Sequence, residues 1–162
     1  MAPRRPSLTD AQWRSLAREA EKARARAHAP YSSYRVGAAL LTTRGVVHGC
    51  NVENASYPLC ICAEASAVAR AVSQGWKKWK ALAVATQGPI PGSPCGACRQ
   101  ILAEFGATLP VGLVVDGKVE RVVTVAELLP FAFDAHVLEE GTKKAPKAPK
   151  APRAKAKVRA KA

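Results

Sequence analysis

Ala81-Leu82-Ala83-Val84-Ala85-Thr86, then Gln87-Gly88-Pro89-Ile90-Pro91-Gly92-Ser93-Pro94, then Cys95-Gly96-Ala97-Cys98-Arg99-Gln100-Ile101-Leu102-Ala103-Glu104-Phe105 is the stretch on which the fold turns. The first segment is a short apolar run bounded by turn residues, which predicts a buried strand. The second is rich in Gly and Pro and predicts a loop. The third has helical period and is stopped by Gly106. Strand, loop and helix in succession suggest a layered α/β domain.

The same alternation continues on both sides. Cys62 to Gln74 has helical period, with Gly75 as its C-cap. Before it, Val36 to Leu41, the Arg44-Gly45 turn and Val46 to Val52 read as a β-hairpin. Gly37 inside that first strand signals a bulge or a close backbone approach. Pro58 to Cys60 reads as a connecting loop. Further upstream, Thr9-Asp10-Ala11-Gln12 is a capping box that opens a helix running to about Ala27, with Trp13, Leu16, Ala17 and Ala20 on its buried face. Downstream, Val111 to Val115, the Asp116-Gly117 turn and Val119 to Val123 make a final strand pair. Thr124 to Glu127 is a second capping box, and Pro130 ends the short helix it opens. The predicted order is α-β-β-α-β-α-β-β-α, an α/β domain with a mixed sheet over residues 8–138, with residues 1–7 flexible.

Bulk properties narrow the function. The 162 residues are 48% hydrophobic and 23% charged, as expected of one soluble domain. No apolar run approaches the ~20 residues that span a bilayer, and Met1 to Pro6 leads into no hydrophobic stretch, so a cytoplasmic protein is expected. The net charge is +13, but Lys143 to Ala162 holds nine Lys or Arg and no acid, leaving +4 for the rest. Residues 139–162, with their Ala-Pro-Lys repeats, are expected to be a disordered tail. Such a tail either contacts nucleic acid non-specifically through phosphates or simply aids solubility.

Five cysteines, an odd number including one C-x-x-C pair, point to metal or redox chemistry rather than a disulfide frame. Cys62 lies 33 residues before Cys95, and each stands at a predicted helix start. Unpaired backbone N–H groups and the helix dipole favour ionised sulfur there. Cys62, Cys95 and Cys98 make three ligands and leave the fourth position of a tetrahedral zinc ion open, the layout of a catalytic site. Glu64, two residues after a ligand, is placed to shuttle protons beside the metal without binding it. A Cys or His ligand, then x-Glu, then Pro-Cys-x-x-Cys is the known signature of zinc deaminases acting on nucleobases. A lone C-x-x-C also serves redox sites and structural zinc knuckles, but a structural site has no need of Glu64. Cys50 and Cys60 read as ordinary free thiols, and His28, His48 and His136 show no ligand spacing.

Tyr31-Ser32-Ser33-Tyr34-Arg35-Val36-Gly37-Ala38-Ala39-Leu40, Asn51-Val52-Glu53-Asn54-Ala55-Ser56-Tyr57, the two cysteine segments and Glu127-Leu128-Leu129-Pro130 together resemble the small homotetrameric cytidine deaminases. The resemblance runs from about the first helix to Phe133. It implies a three-layer α/β/α fold with a mixed five-stranded sheet and one zinc ion per subunit. It implies that Asn51 and Glu53 hold the ribose 3′-hydroxyl and that Tyr34, normally Phe, packs on the nucleoside. The backbone of Ala63 would meet the pyrimidine carbonyl, and the carbonyl of Ser93 the 4-amino group. Ala55, Ser56, Tyr57 and Phe133 would reach a neighbouring subunit's site.

The implied reaction is hydrolytic deamination of cytidine and deoxycytidine to uridine and deoxyuridine, a step of pyrimidine salvage. Zinc lowers the pKa of its water to roughly 7, hydroxide attacks C4, and Glu64 protonates N3 and then the departing amine. Two other readings stand beside it: a related deaminase on another cytosine compound, and a zinc module that binds nucleic acid through its tail. An Asn and a carboxylate two apart at an extended strand end point to one side and suit a sugar hydroxyl. The carboxylate would repel a phosphate on that oxygen, which favours a free nucleoside. One position departs from the resemblance: the family's usual Arg after the catalytic Glu is Ala65 here, with Arg99 or backbone N–H groups left to offset the thiolate charge.

Overall fold

The computed structural model describes residues 8–143; the expectations for residues 1–7 and from residue 144 onward lie outside the described residues. Helix α1 (Asp10–Arg24) opens on the expected capping box. Thr9 Oγ1 accepts from the Gln12 N–H, and Gln12 Oε1 accepts from the Thr9 N–H at 2.8 Å. The helix stops three residues short of Ala27. Its backbone tightens there, with the Arg26 and Ala27 N–H groups donating to Ala23 O and Arg24 O.

The remaining elements follow in the predicted order. They are β1 (Gly37–Thr42), β2 (Val46–Cys50), α2 (Ala63–Ser73), β3 (Trp79–Ala85), α3 (Gly96–Ala103), β4 (Pro110–Val115), β5 (Lys118–Thr124) and α4 (Val125–Leu128). A 3₁₀ turn at Tyr57–Leu59 lies within the loop before α2, where Pro58 at its start favours it. Asp116 and Gly117 both have positive φ, as a two-residue hairpin turn between β4 and β5 requires.

The strands form one sheet in the order β2-β1-β3-β4-β5. β3 and β4 are parallel, while the other pairs are antiparallel. Alternation along β1 and β3 divides the core into two layers. Ala39, Ala81, Ala83 and Ala85 face Leu16, Ala17 and Ala20 of α1. Ala38, Leu40, Leu82 and Val84 face the opposite way, with Ala63, Ala67 and Ala71 of α2 and Leu102 of α3. Helices therefore cover both faces, and the three-layer α/β/α arrangement holds.

Two glycines let those helices approach the sheet. A Cβ on Gly37 would lie 2.2 Å from Ala20 O, which is the close backbone approach expected of it. A Cβ on Gly49 would lie 2.3 Å from Ala63 O and 2.4 Å from Ala67 N. Gly49 thus seats the first turn of α2 on β2.

Among the described residues, those up to Ala132 form one compact body and those from Phe133 to Lys143 belong to a second. The second contains α5 (Ala135–Lys143), which corrects the sequence reading. Residues 139–143, assigned there to a disordered tail, are helical, and the boundary expected at Leu138 falls inside α5. The missed signal was Asp134, whose Oδ1 accepts from the Val137 N–H at 2.9 Å. Among the described residues no helix is long and apolar enough to cross a membrane.

Candidate active site

Cys62 is the N-cap of α2 and Cys95 the N-cap of α3, both with extended backbone. Cys98 is the third residue of α3 and is buried. The three Sγ atoms lie within 4.8 Å of one another. Cys62 Sγ and Cys95 Sγ are 3.7 Å apart, against about 3.8 Å for the edge of a tetrahedron with Zn–S bonds of about 2.3 Å. Burial pushes the Cys62 thiol up to about 11, and proximity to Cys95 adds to this. Cys98 is also pushed up, by burial and then by Glu64 and Cys62. Burial opposes ionisation of Cys95 as well, but hydrogen bonds from the Cys98 backbone and thiol outweigh it and lower its pKa. Burial and mutual repulsion oppose ionising all three sulfurs together, which is the charge a bound dication would relieve.

Glu64, the second residue of α2, is only 4% exposed. Burial raises its carboxyl above the ordinary range. It lines a cavity of about 290 Å³. That cavity brings together Tyr34, Asn51, Glu53, Ala63 and Ser93 with the Cys62 and Cys95 thiols, while Val84 and Thr86 also line it. Two thiols of the cysteine trio, a buried acid and convergent polar groups therefore share one opening.

The sequence model of the cytidine and deoxycytidylate deaminase zinc-binding region matches residues 11–113. The chain belongs to this deaminase family. The cytidine deaminase of Sporosarcina psychrophila is 51% identical over 123 residues, covering 73% of this chain and 88% of that protein. The cytidine deaminase of Halalkalibacterium halodurans is 45% identical over 128 residues, covering 77% and 96%. The crystal structure of cytidine deaminase from Burkholderia pseudomallei is similar with a TM-score of 0.70 at 48% identity, over 74% of this chain and 97% of that one.

Asn51 and Glu53 are tied into their own loop. β2 ends at Cys50, earlier than the expected Val52, because the next residues leave the ladder to bond elsewhere. Asn51 Oδ1 accepts from the Val36 N–H at 2.8 Å, and Asn51 Nδ2 donates to Tyr34 O at 2.9 Å. Glu53 Oε2 accepts from the Tyr31 and Ser32 N–H groups, and Oε1 accepts from the Ser32 hydroxyl. The Ser32 hydroxyl, foremost, holds the Glu53 carboxyl below its usual range. Each side chain retains capacity: one amide N–H on Asn51 and a carboxylate lone pair on Glu53. Tyr34 is 41% exposed, so its hydroxyl does not depend on a buried partner.

Arg99 does not serve the thiols. Its Nε donates to Pro94 O at 2.7 Å, Nη1 to Leu128 O at 3.0 Å and Nη2 to Ser93 Oγ at 3.0 Å. It fastens the Ser93-Pro94 segment to the end of α4. The same end of the 87–94 loop is held by Thr86 as well, whose Oγ1 accepts from the Gly92 N–H at 2.9 Å. Sequence reasoning missed Ser32, Thr86 and Gln87 as supports of the site, because the groups they hold lie 6 to 54 positions away in the chain with no local pattern to mark them.

Ala55, Ser56 and Tyr57 lie outside the cavity on exposed backbone, with Tyr57 68% exposed and its ring edge-on to Tyr31. Phe133 belongs to the second body and is exposed.

Proposed function

We propose that the protein hydrolytically deaminates cytidine and deoxycytidine to uridine and deoxyuridine, releasing ammonia. The observation that carries this reading is Glu64, a buried carboxyl with a raised pKa that shares one cavity with the Cys62 and Cys95 thiols. Cys62, Cys95 and Cys98 would hold a zinc ion, which when bound would supply the Lewis acidity that activates water near neutral pH. Glu64 takes a proton from the attacking water and delivers it to N3 of the cytosine ring, making C4 more electrophilic as the water oxygen bonds to it. It then moves the remaining proton from the new C4 hydroxyl to the 4-amino group, and the C4–N bond breaks to leave the uracil carbonyl and ammonia. A carboxyl raised by burial holds a proton more readily than an exposed one, which suits both tasks.

The other cavity residues orient the nucleoside. The Ala63 backbone meets the pyrimidine carbonyl, the Ser93 carbonyl accepts from the 4-amino group, and Tyr34 packs on the ring. Asn51 and Glu53 use their remaining donor and acceptor on the 3′-hydroxyl. The Glu53 charge repels a phosphate at that oxygen and so favours free nucleosides over a strand.

The same reading includes a homotetramer, in which Ala55, Ser56, Tyr57 and Phe133 complete a neighbour's site. The exposure of Tyr57, Leu59 and Ile61 at 68%, 64% and 49% supports a covered surface there. Free thiols used as ligands support a reducing compartment such as the cytoplasm. The basic residues from Lys143 onward would contact nucleic acid through phosphates, and their deletion should abolish retention on DNA at low salt.

The deciding experiment is an ultraviolet assay with cytidine, deoxycytidine and a cytosine-containing oligonucleotide, with and without a zinc chelator. Loss of absorbance with both nucleosides, abolished by the chelator, is expected. Turnover of the oligonucleotide alone would overturn the nucleoside reading.

A further inference from the structure

Gln87, which follows the end of β3, is absent from the cavity lining yet grips the residue that forms part of its wall. Its Nε2 donates to Ser33 O at 3.1 Å, and its Oε1 accepts from the Arg35 N–H at 3.2 Å. Those two groups flank Tyr34. Asn51 takes the alternate pair, Tyr34 O and the Val36 N–H. Two side-chain amides, each just beyond the end of a different strand, thus satisfy four backbone groups from Ser33 to Val36. They do so in the way a neighbouring strand would, with one donor and one acceptor each.

The segment needs such a clamp. Ser33 has φ of +57°, a left-handed conformation that residues other than glycine seldom hold without support. It is anchored on one side by its N–H donating to Ala29 O and on the other by Gln87. Tyr34 follows directly, so relaxation at Ser33 would swing its ring away from the cavity.

We propose that Gln87 is a positioning residue for the nucleoside: it fixes the backbone on both sides of Tyr34 and so holds that ring against the substrate. This rests on the deaminase reading above and adds a residue that touches neither substrate nor metal. No other side chain substitutes simply. Glu keeps the acceptor for Arg35 but sets a carboxylate against Ser33 O, and Asn is one methylene too short.

The test is a cycle of Gln87→Leu, Tyr34→Ala and the double variant, each scored for KM and kcat with cytidine and for bound zinc. Two neutral hydrogen bonds are lost in Gln87→Leu, so KM should rise about fivefold with kcat nearly unchanged and zinc retained. Gln87→Glu should fail to restore KM. In the Tyr34→Ala background Gln87→Leu should add nothing further, since both act through one ring. Amide hydrogen exchange at Arg35 should quicken in Gln87→Leu. An unchanged KM in Gln87→Leu or in Tyr34→Ala, or losses that simply add, would overturn the proposal. Should the wild-type protein leave cytidine untouched, the substrate reading fails by itself. Exchange at Arg35 then decides the clamp alone, with faster exchange supporting it and unchanged exchange overturning it.

Discussion

Cys62 Sγ and Cys95 Sγ stand 3.7 Å apart although each caps a different helix. A single ion held by them would join α2 to α3 and so couple metal binding to local folding. Removing zinc with a chelator should lower the thermal midpoint, and adding it back should restore the midpoint together with one zinc per chain by elemental analysis. Cys95→Ala should abolish that recovery. A midpoint indifferent to zinc would show that the helices are held by packing alone.

Glu64→Gln should retain the metal, because the carboxyl is not a ligand, while losing the proton relay. Proton transfer by one placed group is worth roughly a hundredfold to ten-thousandfold, and single-turnover rates should fall by at least that much. Near-wild-type turnover in this variant would exclude Glu64 from the chemistry.

Ala65 bears on the acidity of the centre. Three thiolates around a dication carry a net −1, and the Arg99 guanidinium is committed to Pro94 O, Leu128 O and Ser93 Oγ. A guanidinium introduced by Ala65→Arg would withdraw charge from the thiolates and make the activated water more acidic. The acid limb of the pH–rate profile should move to lower pH. Superimposable profiles would mean that backbone N–H groups already do this work.

Glu19 Oε2 sits 2.7 Å from His48 Nε2, bridging α1 to β2, and Glu19 Oε1 sits 2.7 Å from Lys22 Nζ. Lys22 first and His48 second lower the Glu19 carboxyl. A lowered carboxyl stabilises the fold above its unfolded-state pKa and loses that contribution as pH falls through its folded value. Glu19→Gln should therefore cost about 0.5 kcal/mol at pH 7 and nothing in strong acid, measured by urea unfolding. An equal loss at both would mean that shape rather than charge joins the pair.

What the sequence disclosed follows from how local each signal is. Cys62, Glu64, Cys95 and Cys98 were readable because ligand spacing and helix-cap position are written within a few residues. Asn51 and Glu53 were placed at the site, but their bonds to Tyr34, Val36, Tyr31 and Ser32 connect residues 15 to 22 positions apart, beyond any local pattern. Gln87 lies 52 and 54 positions from the groups it holds, and nothing in its neighbourhood marks it. α5 was hidden by composition, since the basic repeats that follow it coloured the reading of residues 139–143.

The loop from Gln87 to Pro94 is fastened at both ends and open in the middle. Gln87 holds one end, Thr86 and Arg99 hold the other, and between them Gly88 has a positive φ while Ile90 is 78% exposed. Residues 88–91 therefore form a cassette: they can be lengthened, shortened or replaced while both walls of the catalytic cavity stay moored. For anyone redesigning this enzyme to accept bulkier bases, that span is the natural place to graft.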